Sequence, residues 1–356
     1  MIWQVSKGAV MKEPPSHSIE YQQFIFRLTA RESIILPAYK GSTLRGGFGY
    51  AFKRVVCAIR NKECSDCILK EKCVYSYVFE TPPPSDTKIM RKYKAAPHPF
   101  VIEPPPERRR GFKPGDEITF GLTLIGRAID YLPYFVYTFD ELGKIGIGKG
   151  KARYELKEVH CDGKQIYDSE TKTLKSFEAA SLDVGIPTFP HSGGFAEAKE
   201  KGGKGGFLSK QLTLNFLTPT RILYDSHLTI DLEFHILIRN LLRRLSLLYY
   251  FHCNGDLSEW DFKGLIEQAK DVKVKEKKLR WYDWERYSGR QETRMKMGGF
   301  VGEITFEGDI KSFMPLIKAG EVLHVGKGTG FGLGKYRIVT GVSEEESVKY
   351  KTVKNL

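Results

Sequence analysis

Apolar residues along this chain recur at two spacings, and the change from one to the other divides it into elements. Between Glu20 and Ala30 the run Tyr-Gln-Gln-Phe-Ile-Phe-Arg-Leu-Thr is aromatic and β-branched and predicts a strand. After a turn at Pro37 to Thr43, the residues Leu44, Phe48, Ala51, Phe52, Val55, Val56 and Ile59 fall at helical spacing. The polar remainder of that helix is basic, at Arg45, Lys53, Arg54 and Arg60. Gly46, Gly47 and Gly49 weaken its first turns and permit close approach of another backbone. Gly115 to Arg127 predicts a strand, Tyr131 to Leu142 a short amphipathic helix, and Lys151 to His160 a strand. In the second half Gln211 to Leu217 predicts a strand and Asp231 to His252 a long helix. Along it Arg239, Arg243, Ser246 and Tyr250 share one face opposite a leucine-rich one, which predicts a basic solvent side. Asp309 to Ala319 is amphipathic, and Tyr336 to Val342 is a β-branched run.

The two halves repeat. Glu117-Ile-Thr-Phe leads through Ile129-Asp-Tyr-Leu-Pro to Gly143-Lys-Ile-Gly-Ile-Gly-Lys-Gly and then to Ala152-Arg-Tyr-Glu-Leu. Glu303-Ile-Thr-Phe leads through Ile310-Lys-Ser-Phe-Met-Pro to a longer Gly/Lys loop and then to Lys335-Tyr-Arg-Ile-Val. This is an internal duplication of a whole domain, not a solenoid period. Each half reads strand, helix, two strands, helix, strand, the βαββαβ order of ferredoxin-like, RRM-like domains in the α+β class. The expected layout is a first domain over 1–182 with a Cys-rich insertion at 57–73, a Gly/Lys-rich linker over 183–206, and a second domain over 207–356.

The longer loop places Gly326, Gly328, Gly330, Gly332 and Gly334 at every second position, interleaved with Lys327, Phe331 and Lys335. A flexible spacer would not be interleaved in this way. The spacing suits either a backbone that comes close to a phosphate or a close-packed turn. It is neither a P-loop nor the dinucleotide fingerprint, because it leads into a strand and no Gly-Lys-Ser/Thr follows.

Composition sharpens the partner. With 356 residues and 41% hydrophobic content the chain can build two ordinary cores. No apolar run reaches the roughly 18 residues that span a bilayer, and the N-terminus lacks a signal-peptide core, so a cytoplasmic protein without membrane contact is expected. Lys and Arg total 56 against 43 Asp and Glu, a net +13 that favours a polyanionic partner, with thermophile-style surface charge as the alternative. Lys270 to Lys296 holds ten Lys/Arg against five Asp/Glu, interleaved with Trp281, Tyr282, Trp284 and Tyr287. Charge with stacking surface suits single-stranded or looped RNA; a half-buried edge strand with solvated lysines is the plainer reading. Cys57, Cys64, Cys67 and Cys73 lie close together around a Cys-x-x-Cys, which points to structural zinc, with a [4Fe-4S] cluster or unligated or disulfide-paired thiols as alternatives. Such a closed site would hold loops and would not be a catalytic metal.

The final His324-Val-Gly-Lys-Gly-Thr-Gly-Phe-Gly-Leu-Gly-Lys-Tyr, with Tyr287-Ser-Gly-Arg-Gln-Glu and Met297-Gly-Gly-Phe-Val-Gly, resembles the CRISPR-associated endoribonucleases that process repeat RNA. These are the sixth Cas family, in the repeat-associated mysterious protein (RAMP) superfamily. Leu44-Arg-Gly-Gly-Phe-Gly and the cysteine cluster are similar to a bacterial and archaeal branch of it, and the resemblance runs from about Phe24 to Val339. It implies metal-independent cutting of precursor CRISPR RNA by a ribose 2′-OH, leaving a 2′,3′-cyclic phosphate and a 5′-OH. It also implies CRISPR repeat RNA as partner, alongside other Cas effector subunits. The other function class is a non-catalytic RNA-binding RAMP subunit of an effector complex. The family commonly carries a histidine on or near the first helix, assisted by a tyrosine and a lysine. Here Tyr50 lies where related sequences carry histidine, leaving Tyr39, Tyr50, Lys53, His252 and His324 as catalytic candidates. A tyrosine's ordinary pKa near ~10 suits it poorly to act as a base at neutral pH unless cations lower it. Arg45, Arg54, Arg239, Arg243, Arg290, Lys296, Lys327, Lys335, Phe331 and the five loop glycines are the RNA-binding candidates.

Overall fold

The computed structural model describes residues 17–60, 62–91, 93–185, 211–288 and 293–339. Arg290, most of the expected linker, and the end of the run to Val342 lie outside the described residues.

In the first half, β1 (Ser18–Ala30) is central because its alternation buries Phe24, Phe26 and Leu28 on one face while Ile25 stays exposed on the other. Helix α1 (Gly41–Val56) follows, then β2 (Phe100–Glu103), β3 (Glu117–Ile125), α2 (Leu132–Ile145), β4 (Tyr154–Cys161), β5 (Lys164–Asp168) and β6 (Ala180–Asp183). The sheet order is β2-β3-β1-β4-β5, antiparallel throughout, with β6 pairing the start of β1. Both helices lay phenylalanines on the sheet: Phe48 lies edge-on 5.8 Å from Phe100 and Phe139 lies 4.8 Å from Phe120, while Phe48 and Phe135 stack between the helices at 4.7 Å. Gly47 and Gly49 fall inside α1, where added side chains would meet Leu142 and the Phe79 ring. They are packing glycines, and the helix starts earlier than Leu44 because tertiary contact outweighs their low propensity.

The second half holds β7 (Gln211–Thr220), α3 (Phe234–His252), α4 (Phe262–Ala269), β8 (Lys273–Tyr282), β9 (Gly299–Glu307), α5 (Met314–Leu323) and β10 (Tyr336–Val339). Its sheet order is β8-β9-β7-β10, also antiparallel, the same 2-3-1-4 arrangement as β2-β3-β1-β4. The chain is therefore a mixed α/β protein with antiparallel sheets, consistent with ferredoxin-like folding. The basic run Lys273 to Tyr282 is an edge strand, almost wholly exposed, whose lysines blunt the unpaired edge.

Helix α3 departs from the expected amphipathic layout. Arg239 and Arg243 are exposed, but Ser246 is buried and so is Arg244. The first half covers the C-terminal part of this helix: Tyr77 and the Pro97 carbonyl bond His252, and the backbone at Gly126 packs on its carbonyl. A helix packed on two sides has no solvent face to its full length, and single-helix periodicity cannot report a second covering segment from elsewhere in the chain.

Candidate nucleic-acid interface

The glycine-rich loop after α5 sits in the seam between the halves. Its start and end are tied to the first half by one carboxylate: Glu103, last residue of β2, accepts from His324 Nε2 at 3.3 Å and pairs with Lys335 Nζ. Burial alone would raise the Glu103 carboxyl, but the His324 hydrogen bond, its charge and Lys335 outweigh it and hold the group at about 2. His324 Nδ1 lies 3.0 Å from the Leu333 carbonyl, so both ring nitrogens face acceptors, and the ring is 0% exposed. A general base needs a free lone pair within reach of substrate, and His324 offers neither.

The loop's middle is wedged in the same seam. Phe331 is bracketed by two guanidinium groups, Arg45 of α1 at 4.5 Å and Arg286 at 4.7 Å, and Arg45 also covers Phe79 at 4.5 Å. Arg45 donates to His98 Nε2 at 2.6 Å, which makes Nε2 the acceptor, while Nδ1–H donates to Thr81 Oγ1 at 2.9 Å. Burial, followed by the Arg45 charge, keeps His98 well below the usual histidine range. Tyr39 donates its hydroxyl to the Phe331 carbonyl at 2.8 Å and packs its ring on Trp284 at 4.7 Å. Burial, then the Glu103 charge, raises its phenol well above 10. Arg45, Tyr39 and Phe331 are thus committed to each other. The glycines have structural reasons too: a side chain at Gly41 would strike the Phe331 carbonyl, and one at Gly334, with φ +76, the Val325 carbonyl. Gly330, Gly332 and Gly334 are buried, Gly326 and Gly328 half-buried, and Lys327 is the loop's exposed cation.

The remaining candidates stand on α1, on α3 and on a hairpin. On α1, Tyr50 is 54% exposed and its hydroxyl accepts from Arg54 at 3.2 Å, with Lys53 one turn along, over the Tyr75 ring. Arg239 and Arg243 stand on α3, the latter over Tyr93, and Lys296 is exposed at the end of the hairpin Glu285–Ser288/Thr293–Lys296. His252, the last residue of α3, is buried, with Nε2–H donating to the Pro97 carbonyl at 2.8 Å and Nδ1 accepting from Tyr77. Burial pushes it down to about 4. The four cysteines are free thiols, and among the described residues no three His, Cys, Asp or Glu side chains converge as a metal site. Glu103 escaped the sequence reading, although it carried a signal as the lone acid of an apolar strand ahead of three prolines.

Residues 214–336 match the model of the CRISPR-associated endoribonuclease Cas6 family, and residues 19–179 match a model described as an N-terminal domain. An uncharacterized protein of Archaeoglobus fulgidus is 24% identical over 312 residues, covering 85% of this chain and 92% of that protein. Among solved structures, a Cas6 product complex is similar with TM-score 0.51 and 16% identity, over 90% of this chain and all of that one. A chain of a partial Cas6-RT-Cas1–Cas2 complex reaches TM-score 0.53 at 15% identity, over 93% of this chain and 47% of that one. No helix among the described residues is long and apolar enough to cross a membrane. The second half of the chain thus matches the model of the CRISPR-associated endoribonuclease family, and the fold is shared with a solved Cas6.

Proposed function

We propose that this protein is an endoribonuclease that cuts precursor CRISPR RNA within its repeats, built as two tandem ferredoxin-like domains, 1–182 and 207–356, with the cysteine segment inserted in the first. The match of residues 214–336 to the Cas6 family carries this reading. The route is metal-independent, as the family resemblance implies: a ribose 2′-OH attacks the adjacent phosphate, leaving a 2′,3′-cyclic phosphate and a 5′-OH. It needs an acceptor for the 2′-OH proton, a proton for the leaving oxygen and cations for the crowded phosphate. The exposed face of α1 offers the last two, and at that open surface the 2′-OH proton passes to solvent water. Tyr50 accepts from Arg54, so its own O–H stays free to donate to the leaving 5′-oxygen, and Lys53 and Arg54 supply charge. Lys327, Lys296, Arg239 and Arg243 are exposed cations for the RNA backbone. The cell compartment is the cytoplasm, and other Cas subunits are the proteins it meets; a structurally similar chain comes from a complex with Cas1 and Cas2.

The test is cleavage of end-labelled repeat RNA in excess EDTA. Cleavage that is blocked by a single 2′-deoxy substitution supports the reading; an intact RNA held tightly by the protein overturns it. That second outcome is the signature of a non-catalytic RNA-binding subunit, and one observation favours it: His324, His252 and His98 are all bonded within the protein and withdrawn from the surface of α1.

A further inference from the structure

The shorter glycine loop of the first half borders a cleft of about 660 Å³ that the reading above does not use. Its walls are Ile35 to Pro37, Thr43 and Gly47 of α1, Arg110, and Gly146 to Lys149. The backbone fixes this arrangement: Leu36 N–H donates to the Arg110 carbonyl at 2.8 Å, and Lys149 N–H to the Ile35 carbonyl at 3.2 Å. Ile35 therefore lies between two segments that each bring one cation. No carboxylate lines the cleft. The adjoining first turn of α1 contains no acid either, and its N-cap residue makes no side-chain cap bond.

The floor of the cleft is apolar without being covered. Ile35 is 53% exposed, and its direct cross-strand partner is Gly111. Opposed residues of an antiparallel pair point to one face, so a side chain at 111 would stand beside Ile35. A Cβ there would meet nothing within 4 Å, and the backbone at Gly111 is not in the left-handed region, so neither packing nor conformation demands this glycine. The result is a flat aliphatic platform flanked by a guanidinium and an ammonium. That is the chemistry of a nucleotide: a base to lie on the platform and a phosphate to meet the cations.

We propose that this cleft is a nucleotide-binding subsite of the first half, which takes one unpaired nucleotide of single-stranded RNA. The proposal rests on the RNA-binding reading above. A free mononucleotide shares the same chemistry, so both sources are tested. The probes are a fluorescein-labelled oligouridine 20-mer and uridine monophosphate, with the full-length protein and three forms: wild type, Arg110→Gln/Lys149→Gln, and Gly111→Val. The last form covers the platform without altering charge, and thermal melts establish that each form is folded.

The double variant is expected to weaken 20-mer binding about tenfold and to flatten the slope of log Kd against log salt by about 0.7, the value for one phosphate contact on a single strand. Gly111→Val is expected to weaken binding several-fold with the salt slope retained. Uridine monophosphate binding that is lost in both variants, with 20-mer binding unchanged, assigns the subsite to a free nucleotide. If wild type binds the 20-mer and both variants match it for both probes, the subsite is refuted while the RNA-binding reading stands. A wild type that binds no RNA sinks that reading instead, and a wild type that binds neither probe sinks the subsite with it.

Discussion

Replacing Glu103 with Gln tests how the glycine loop is held. The carboxylate lies at about 2 against a usual 4.5, a displacement of about 2.5. At ~1.36 kcal/mol per pH unit, its partners favour the charged form by about 3 kcal/mol. The side chain is only 16% exposed, so solvent screens little of this, whereas Lys335 at 29% recovers some hydration once released. The amide keeps the shape but presents one acceptor where two donors converge, and it leaves His324 enclosed beside a lost charge. We expect a loss of about 2–4 kcal/mol in urea unfolding, and a melting temperature lowered by roughly 5–10 °C. The pH dependence follows from the depressed carboxyl: its stabilisation is complete above pH 4.5 and is lost as pH falls through about 2. The unfolding free energy of the wild type should therefore fall across that window, and that of Glu103→Gln should be flatter there. A variant within about 0.5 kcal/mol of wild type, with an unchanged acid limb, would refute the idea that this ion cluster fastens the loop across the seam.

Three further outcomes are expected. Tyr50→Phe should slow repeat-RNA cleavage in EDTA by about 10²–10⁴-fold with little change in Kd; retained single-turnover cleavage would remove Tyr50 as the acid. Lys327→Ala should weaken RNA binding and reduce the salt slope by about 0.7–0.9, checked by anisotropy titrations at several salt concentrations; an unchanged slope means the loop does not touch phosphate. His252, buried neutral at about 4 against a usual 6.5, contributes stability that is complete above pH 6.5 and is lost as pH falls through 4. His252→Gln should lower stability at pH 7 yet flatten its decline between pH 6.5 and 4, measured by urea unfolding at stepped pH.

The sequence alone determined the repeated order of strands and helices, because period-two runs such as Phe24 to Leu28 and the helical spacing from Leu44 to Phe52 are local signals. It also carried the resemblance to repeat-RNA-processing endoribonucleases, since the glycine-rich loop is contiguous in the chain. What it could not determine is which face of each element meets the other half. His324 and Phe331 looked like loop residues free to meet RNA, yet Glu103 and Arg45, more than two hundred residues away, bury the one and bracket the other. The glycines carried the same ambiguity: a missing Cβ admits a phosphate or a neighbouring backbone equally well, and only the packing of Gly41 on the Phe331 carbonyl shows that here the close approach is made within the protein. Buried polar partners across the seam between the halves leave no period in either sequence segment. They are decided by tertiary structure, where desolvation forces each charged or polar group to find a partner, however distant in the chain.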